Sequence, residues 1–482
     1  MRYRLLYILA FITTCFSVHA QKSVKIVVGG EINLGNNYGT SNAHIVTPKE
    51  TDEMLSVARP ILQKADASFV VLGTVFADEH TTPNRANASS HHALIRMPES
   101  AAVSLAGNGV TAVSMSGLHL SDFGLDGLLQ TSSILETNNI ETAGVKGLKV
   151  STTFEKNGVK YGFASFGNTS HSAAMGDSVA VKNVVKRLKS NCDIVIVSFT
   201  HVDRLHSNSA MVNSADNSED ARIHNQRLFA QTCIDAGADL VFGSGSTSLQ
   251  PMELYNDKLI VYGLGNFFTP SGVNINGNNG CAPLLEVTLT SDGYFDGGRI
   301  NSLLQHKDAA MTVDPANRAA TLIRNATEQY VANNELKIQP DGEIISLSRS
   351  PNMQAAKIIA EGKKHLGKRY VHGTAGPNTF DCSGFTSYIF GKFGYNLSRS
   401  SQVQYTQGTP VDRHSLRPGD LVFFKGRTSS GVGHVGMVVN VDPGRNSFQF
   451  IHASSSRGIM ITDFSTSAYY IRRYVGAKRV IK

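Results

Sequence analysis

The stretch FDCSGF, residues 380–385, sets Cys382 between Asp381 and Ser383 at the start of a helical pattern. Asp381 is a good N-cap residue, so Cys382 is predicted at the first helical position. Phe385, Tyr388, Ile389 and Phe393 recur at helical spacing and give one apolar face, and Gly394 ends the helix. A cysteine so placed sees the positive end of the helix dipole, which favours the thiolate, the nucleophilic form. The plainer alternative is a packed small residue. The choice turns on whether a histidine can reach the sulfur.

Two β-rich runs follow, GHVGMVVN (433–440) and SFQFIHAS (447–454), on either side of the turn signal DPGR (442–445). Paired residues of an antiparallel hairpin sum to a constant. His434 and His452 lie symmetrically about residue 443, so they are expected as cross-strand neighbours on one face. If the Cys382 helix packs on that face, a Cys–His–His relay results. His434 would take the thiol proton and return it to a leaving amine, while His452 would hold the ring of His434 in the right tautomer. One half-buried sheet histidine would carry no such inference; two registered about a turn, downstream of a helix-start cysteine, do.

The N-terminus reads MRYRLLYILAFITTCFSVHAQKS. Arg2 and Arg4 precede an apolar run from Leu5 to Phe16, and Val18 and Ala20 place small residues at −3 and −1 of a cut before Gln21. This is the pattern of a secretory signal peptide over residues 1–20, with an apolar core too short to anchor in a bilayer. Ile12-Thr13-Thr14 before Cys15 lacks the usual small residue, so lipidation is disfavoured. The mature protein is expected to be exported, to the periplasm, cell envelope or medium, with no integral membrane span. Cys192, Cys233 and Cys281 are too few for a disulfide framework and are read as buried small residues, a Cys192–Cys233 bridge being left open.

With 482 residues, the chain has room for two or three domains. From 351 to 482 it carries eight Lys and ten Arg against five Asp and one Glu, a balance of +12, so the remainder carries −5 of the net +7. A basic module suits an acidic polymer. No aromatic-basic platform or nucleic-acid motif appears, so an anionic wall polymer is expected rather than nucleic acid, a solvated basic face being the alternative. Residues 21–300 alternate β-rich runs (VKIVVGG, ASFVVLG, DIVIVSF, ADLVFGS, KLIVYGLGN) with helical segments, an α/β layered pattern. Residues 301–350 hold one helix, 317–333, the strand DGEIISLS, and the linker-like SRSPNMQ, which runs to residue 354.

The segment 351–482 resembles the NlpC-type cysteine peptidases of bacterial cell-wall turnover. FDCSGF, LSRSSQVQYTQG, LRPGDLVFF, GHVGMVV and FIHAS occur in that family's order over nearly the whole module. The resemblance implies a papain-like α+β fold, with Cys382 as nucleophile, His434 as base and His452 as the third polar residue. It implies hydrolysis of peptidoglycan stem peptides or muropeptides, typically between γ-D-glutamate and a diamino acid such as diaminopimelate, without a cofactor. By the same resemblance Tyr370 stands near the nucleophile as an aid to the oxyanion, Asp381 and Ser383 contact the substrate amine, and Arg399 meets a substrate carboxylate. Capping for Asp381 and a surface charge for Arg399 are the structural alternatives. Val371-His372-Gly373 departs from the family's Trp-Gly-Gly-like stretch. His365, His372 and His414 match nothing and are read as surface residues. A non-catalytic wall-binding protein and an amidase or acyltransferase on the same fold are the rival functions.

Residues 21–300 resemble CapA-like proteins of the calcineurin-like metallophosphatase fold, through VVGGEINLGNN, VSMSGLHLSDFG and GADLVFGSGSTSLQPMELYNDKLIVYGLGNF. The family's metal ligands are largely replaced. Gly30-Glu31 stands for Gly-Asp, Gly117-Leu118-His119 for Asn-Asn-His, Gly243-Ser244-Gly245-Ser246-Thr247 for a Gly-His-His-x-His run, and Thr200, followed by His201, for a histidine. Hydroxyls cannot replace imidazoles around a hydrolytic metal pair. The metal site is therefore expected to be lost, with His119 and His201 as remnants and a single-metal site of Glu31, His119 and His201 or His206 as the alternative. A binding or positioning module that restricts access to the peptidase cleft is the role expected for this block.

Overall fold

The structure, a computed structural model, describes residues 23–481 apart from 38–46, 79, 84–93, 203–218, 270–273, 333, 349, 427–430, 443 and 445. The expected leader, Cys15 and His206 lie outside the described residues. Among those described, no helix is long and apolar enough to cross a membrane. The chain divides into two units, Ser23–Lys357 and Ile358–Ile481.

In the first unit, alternation along two strands sets the layers. Val24–Ile32 turns Ile26 and Val28 to one side and Val27 to the other. Ile194–Thr200 does the same with Ile194 and Ile196 against Val195 and Val197. The inward sets of both strands share one core, so the two sheets pack face to face. The outward sets are covered by helices: Met54, Leu105 and Leu135 on one sheet, Val181, Val185 and Phe229 on the other. Around Val24–Ile32 the strands Ala67–Leu72, Ala112–Ser114 and Glu141–Ala143 run parallel, while Cys281–Leu289 and Phe295–His306 return antiparallel. The second sheet has six strands with Ile194–Thr200 and Leu240–Ser244 at its centre.

The segment 301–350 is built into this unit. Leu336–Ile338 and Glu343–Ser346 extend the edge of the first sheet and bury Leu336, Ile338 and Ile344 in the inter-sheet core. The helix is Arg318–Tyr330, entered through Asn317 at φ +47. In the linker-like stretch the hydroxyls of Ser348 and Ser350 donate to the Asp257 carboxylate, and Pro351–Lys363 is helical. Cys192, Cys233 and Cys281 are free thiols, so the Cys192–Cys233 bridge is absent.

The second unit is an α+β layer. Its six antiparallel strands run in the order Thr409–Val411, Tyr474–Arg479, Leu421–Lys425, Val432–Asp442, Ser447–Ser454, Gly458–Asp463. The helix Cys382–Gly391 packs across Val432–Asp442 and Ser447–Ser454. It buries Phe385, Ile389 and Phe390 completely, which at roughly 2 kcal/mol per side chain anchors it to the sheet. The helix ends three residues before Gly394, whose φ of +83 makes the turn that follows. One surface expectation is corrected. His365 is buried, edge-on to Phe380, Phe385 and Tyr388, and held by Glu361 and Lys368. The apolar side of the Cys382 helix needs a cover, and His365 on the preceding helical turn supplies part of it. His372 and His414 are exposed.

Candidate active site

Asp381 leaves the helix in an extended conformation (φ −95, ψ −178), and its Oδ1 accepts the Gly384 N–H at 2.7 Å. This cap places Cys382 on the first turn. A side chain at 384 would press a Cβ to 2.2 Å from the Thr374 carbonyl, so glycine is required there. Asp381 Oδ2 also accepts the Gly373 N–H at 2.8 Å. Arg399 then grips both carboxylate oxygens, Nη1 to Oδ1 at 2.8 Å and Nη2 to Oδ2 at 2.6 Å. Ser383 Oγ donates to the Arg399 carbonyl at 2.7 Å and is itself approached by Nη1 at 3.2 Å. Of the four residues expected to contact substrate, three are thus spent on one another, with Asp381 and Ser383 buried. Tyr370 lines the cleft with Cys382.

That cleft encloses about 740 Å³, and Cys382, His434 and His452 all line it. Strand Val432–Asp442 carries His434, and Ser447–Ser454 carries His452. The register differs from symmetry about residue 443. Asp442 pairs with Ser447, Val441 with Phe448 and Asn440 with Gln449; after a bulge at Val439, Met437 pairs with Ile451. The turn spans four residues, and the bulge takes up one more. His452 therefore lies beside Gly436, diagonal to His434, and a Cβ at 436 would meet that of His452 at 3.1 Å. The shift keeps both histidines on one face. His434 Nε2 and His452 Nδ1 stand 3.0 Å apart.

Two residues that the sequence reading did not single out complete the cluster. Thr462 Oγ1 lies 2.8 Å from His452 Nε2. Tyr470 stacks on His434 at 5.8 Å between ring centres and brings its hydroxyl to 3.5 Å from His452 Nδ1. Thr462 was reachable from a second hairpin: Ser454 pairs with Gly458 and His452 with Met460, which puts Thr462 two residues on and on the same face. Tyr470 arrives from a short helix, Ala468–Ile471, at no readable spacing.

Burial governs the protonation states. It pushes the Cys382 thiol up from its ordinary value, and the Asp381 charge adds to this; the N–H groups of Ser383, Val435 and Cys382 itself oppose it. The dipole advantage expected for a helix-start cysteine is outweighed. Burial lowers His434 to about 4 and His452 well below the usual histidine value. At neutral pH the cluster holds a thiol and two neutral imidazoles. Asp381 stays ionised: burial works against it, and Arg399 with the Gly384 and Gly373 amides lowers it.

In the first unit, Thr200 and Ser244 stand at two positions where the resemblance places metal ligands. Ser114, Ser116, Ser165, Thr200 and Ser244 form a buried hydroxyl chain with oxygens 2.7–3.0 Å apart. His119 Nδ1 pairs with Asp122 at 2.9 Å, and burial raises the Glu31 carboxyl against the pull of His119. Among the described residues no three His, Cys, Asp or Glu converge as a metal-holding group. The donor set does not fit a dinuclear metal centre.

Comparison with known proteins agrees with the division of the chain. The family model described as bacterial capsule synthesis protein PGA_cap matches residues 25–271, about half the chain, and the NlpC/P60 family model matches 367–479. The chain is 48% identical over 92 residues to probable endopeptidase p60 of Listeria grayi, covering 19% of this chain and 18% of that protein. It is 36% identical over 124 residues to the gamma-DL-glutamyl hydrolase of Bacillus subtilis, covering 26% and 29%. It is 40% identical over 140 residues to the murein DD-endopeptidase MepS/murein LD-carboxypeptidase of Escherichia coli, covering 29% of this chain and 69% of that protein. The chain thus spans under a fifth of the p60 protein it matches. By these matches the chain belongs to the PGA_cap family through its first unit and to the NlpC/P60 family through its second.

Proposed function

We propose that the protein is an exported cysteine endopeptidase that hydrolyses peptidoglycan stem peptides at the γ-D-glutamyl–diamino acid bond. The observation that carries this reading is the His434–His452 pair, 3.0 Å apart, lining one cleft with a helix-start cysteine. The names of the relatives, an endopeptidase, a glutamyl hydrolase and a murein endopeptidase, support the substrate class. So do Lys425 and Arg457 on the cleft walls, exposed cations that suit the free carboxylates of a stem peptide.

In the reaction, the S–H bond of Cys382 breaks as its sulfur attacks the amide carbon, and the proton passes to His434 Nδ1. The carbonyl π pair moves to oxygen, where the backbone N–H of Cys382 is the natural donor and the Tyr370 hydroxyl a second. The C–N bond then breaks, and His434 returns the proton to the leaving nitrogen. A thioester remains, and water, deprotonated by His434, releases the acid and restores the thiol. No step calls on a metal, and the first unit is assigned a binding or positioning role.

The test is a digest of L-Ala-γ-D-Glu-diaminopimelate peptides, with and without D-Ala and sugar, followed by mass spectrometry. Cleavage between glutamate and the diamino acid, absent in Cys382→Ala and indifferent to chelator, is the expected result. Cleavage at another bond, or none by the wild type, would overturn it.

A further inference from the structure

We propose that Thr462 is a positioning residue: its hydroxyl sets the tautomer of His452 and, through it, leaves Nδ1 of His434 free to accept the Cys382 proton. The inference rests on the reading of Cys382 and His434 as the reacting pair.

Protons can be counted along the chain His434–His452–Thr462, in which His452 is buried and its two partners are half-buried. Each neutral imidazole carries one proton on one of two nitrogens. His452 is fully buried, with Nδ1 facing His434 Nε2 at 3.0 Å and Nε2 facing Thr462 Oγ1 at 2.8 Å. Only two arrangements satisfy both contacts. In one, His434 Nε2–H donates to His452 Nδ1, His452 Nε2–H donates to the Thr462 oxygen, and His434 Nδ1 keeps a lone pair. In the other every donor is reversed, and His434 Nδ1 carries a proton and cannot act as a base.

Two neighbours accord with the first arrangement. The Cys382 sulfur is approached by backbone N–H donors, Val435 among them, and His434 Nδ1, as the base of the proposed reacting pair, must offer a lone pair to its proton. Tyr470 brings its hydroxyl to 3.5 Å from His452 Nδ1 and keeps its proton, since burial pushes it up to about 12. As a donor it meets Nδ1 of His452, the nitrogen that carries the lone pair in the first arrangement. That leaves the His452 proton on Nε2, where Thr462 is the hydrogen-bond partner. Removing that oxygen would strand a buried N–H donor, which costs more than stranding an imidazole lone pair. The chain then gains by reversing, and reversal places a proton on the nitrogen that must take one.

The experiment uses full-length protein labelled with 15N at histidine, as wild type, Thr462→Val and Thr462→Ser. Ring-nitrogen shifts report each tautomer directly, and the iodoacetamide alkylation rate at Cys382, read by mass spectrometry of its peptide, reports the base. Neither readout needs a peptide substrate. The expected wild type has both protons on Nε2. Thr462→Val should move the His434 proton to Nδ1 and slow alkylation about tenfold to a hundredfold, and Thr462→Ser should restore both. A wild-type protein with its His434 proton on Nδ1 overturns the proposal, as does a Thr462→Val protein with unchanged tautomers and alkylation. If wild type cleaves no stem peptide yet shows these tautomers, the peptidase reading fails and the role of Thr462 stands.

Discussion

Arg399 and Asp381 are joined at two points, 2.8 and 2.6 Å, at the N-cap of the helix that begins with Cys382. The same carboxylate accepts the Gly384 and Gly373 amides, so one ion pair closes the helix end and ties it to the preceding loop. Asp381→Ala removes the cap and strands Arg399, and should cost about 2–3 kcal/mol of stability. Asp381→Asn keeps the cap acceptor, and Arg399→Lys keeps the charge without the fork, so each should cost less. Denaturant melts of the three variants check the ranking; equal losses would mean the two-point geometry adds nothing.

The dyad should rest uncharged. With the thiol raised and His434 lowered to about 4, no thiolate ultraviolet absorbance assignable to Cys382 is expected at pH 7. The rate of cleavage should be flat through neutrality and fall on the acid side only as His434 protonates near pH 4. A thiolate band at neutral pH that vanishes in Cys382→Ala would show an ion pair instead.

Acid should destabilise the second unit through two sets of groups, whose pH windows adjoin. His434 and His452 are depressed in the folded state, so below about 6.5 the unfolded chain binds protons that the fold refuses; the loss due to His434 continues to about pH 4, and His452 adds a loss in the same direction. For Glu361, burial works against ionisation, but Lys392 and Lys364 hold it down to about 2. Its contribution is complete above the ordinary glutamate value and is lost as pH falls from about 4.5 to 2. Melting temperatures across pH 7 to 3 should show the first slope reduced in His434→Gln and the second in Glu361→Gln.

Arg457 and Lys425 are expected to read substrate charge. Arg457→Gln should lower kcat/KM about tenfold on peptides with a free carboxylate at the diamino acid and leave the amidated peptides unchanged, as for loss of one charge-assisted hydrogen bond. An equal loss on both substrates would assign Arg457 to the fold.

The first unit should melt at the same temperature with chelator, zinc or manganese. Thr200→Val should cost about 1–3 kcal/mol, because Ser116 and Ser244 lose a buried partner. A metal-dependent rise in the melting temperature would contradict the poor fit of the donor set.

What was legible in the sequence was local or periodic. Asp381 before Cys382 announces a cap because the side chain and the amide it satisfies lie three residues apart. The near-continuous apolar runs in VKIVVGG and DIVIVSF announce strands buried on both faces. Two histidines flanking a turn are expected on one face by symmetry; the four-residue turn offsets the register by three and the bulge at Val439 takes one back, which restores that parity. The hydroxyl residues Ser244 and Thr200, where the resemblance places imidazoles, are likewise read directly. The rest required the tertiary structure. The position of the turn and the bulge at Val439 together make Gly436 rather than His434 the residue opposite His452, and the bulge cannot be seen from turn residues alone. Tyr470 comes from a separate helix, and Arg399 meets Asp381 across an intervening helix, so neither contact has a spacing to find. Burial decided the charge states as well: the helix dipole favours a thiolate, but desolvation, which only packing sets, outweighs it at Cys382 and lowers both imidazoles.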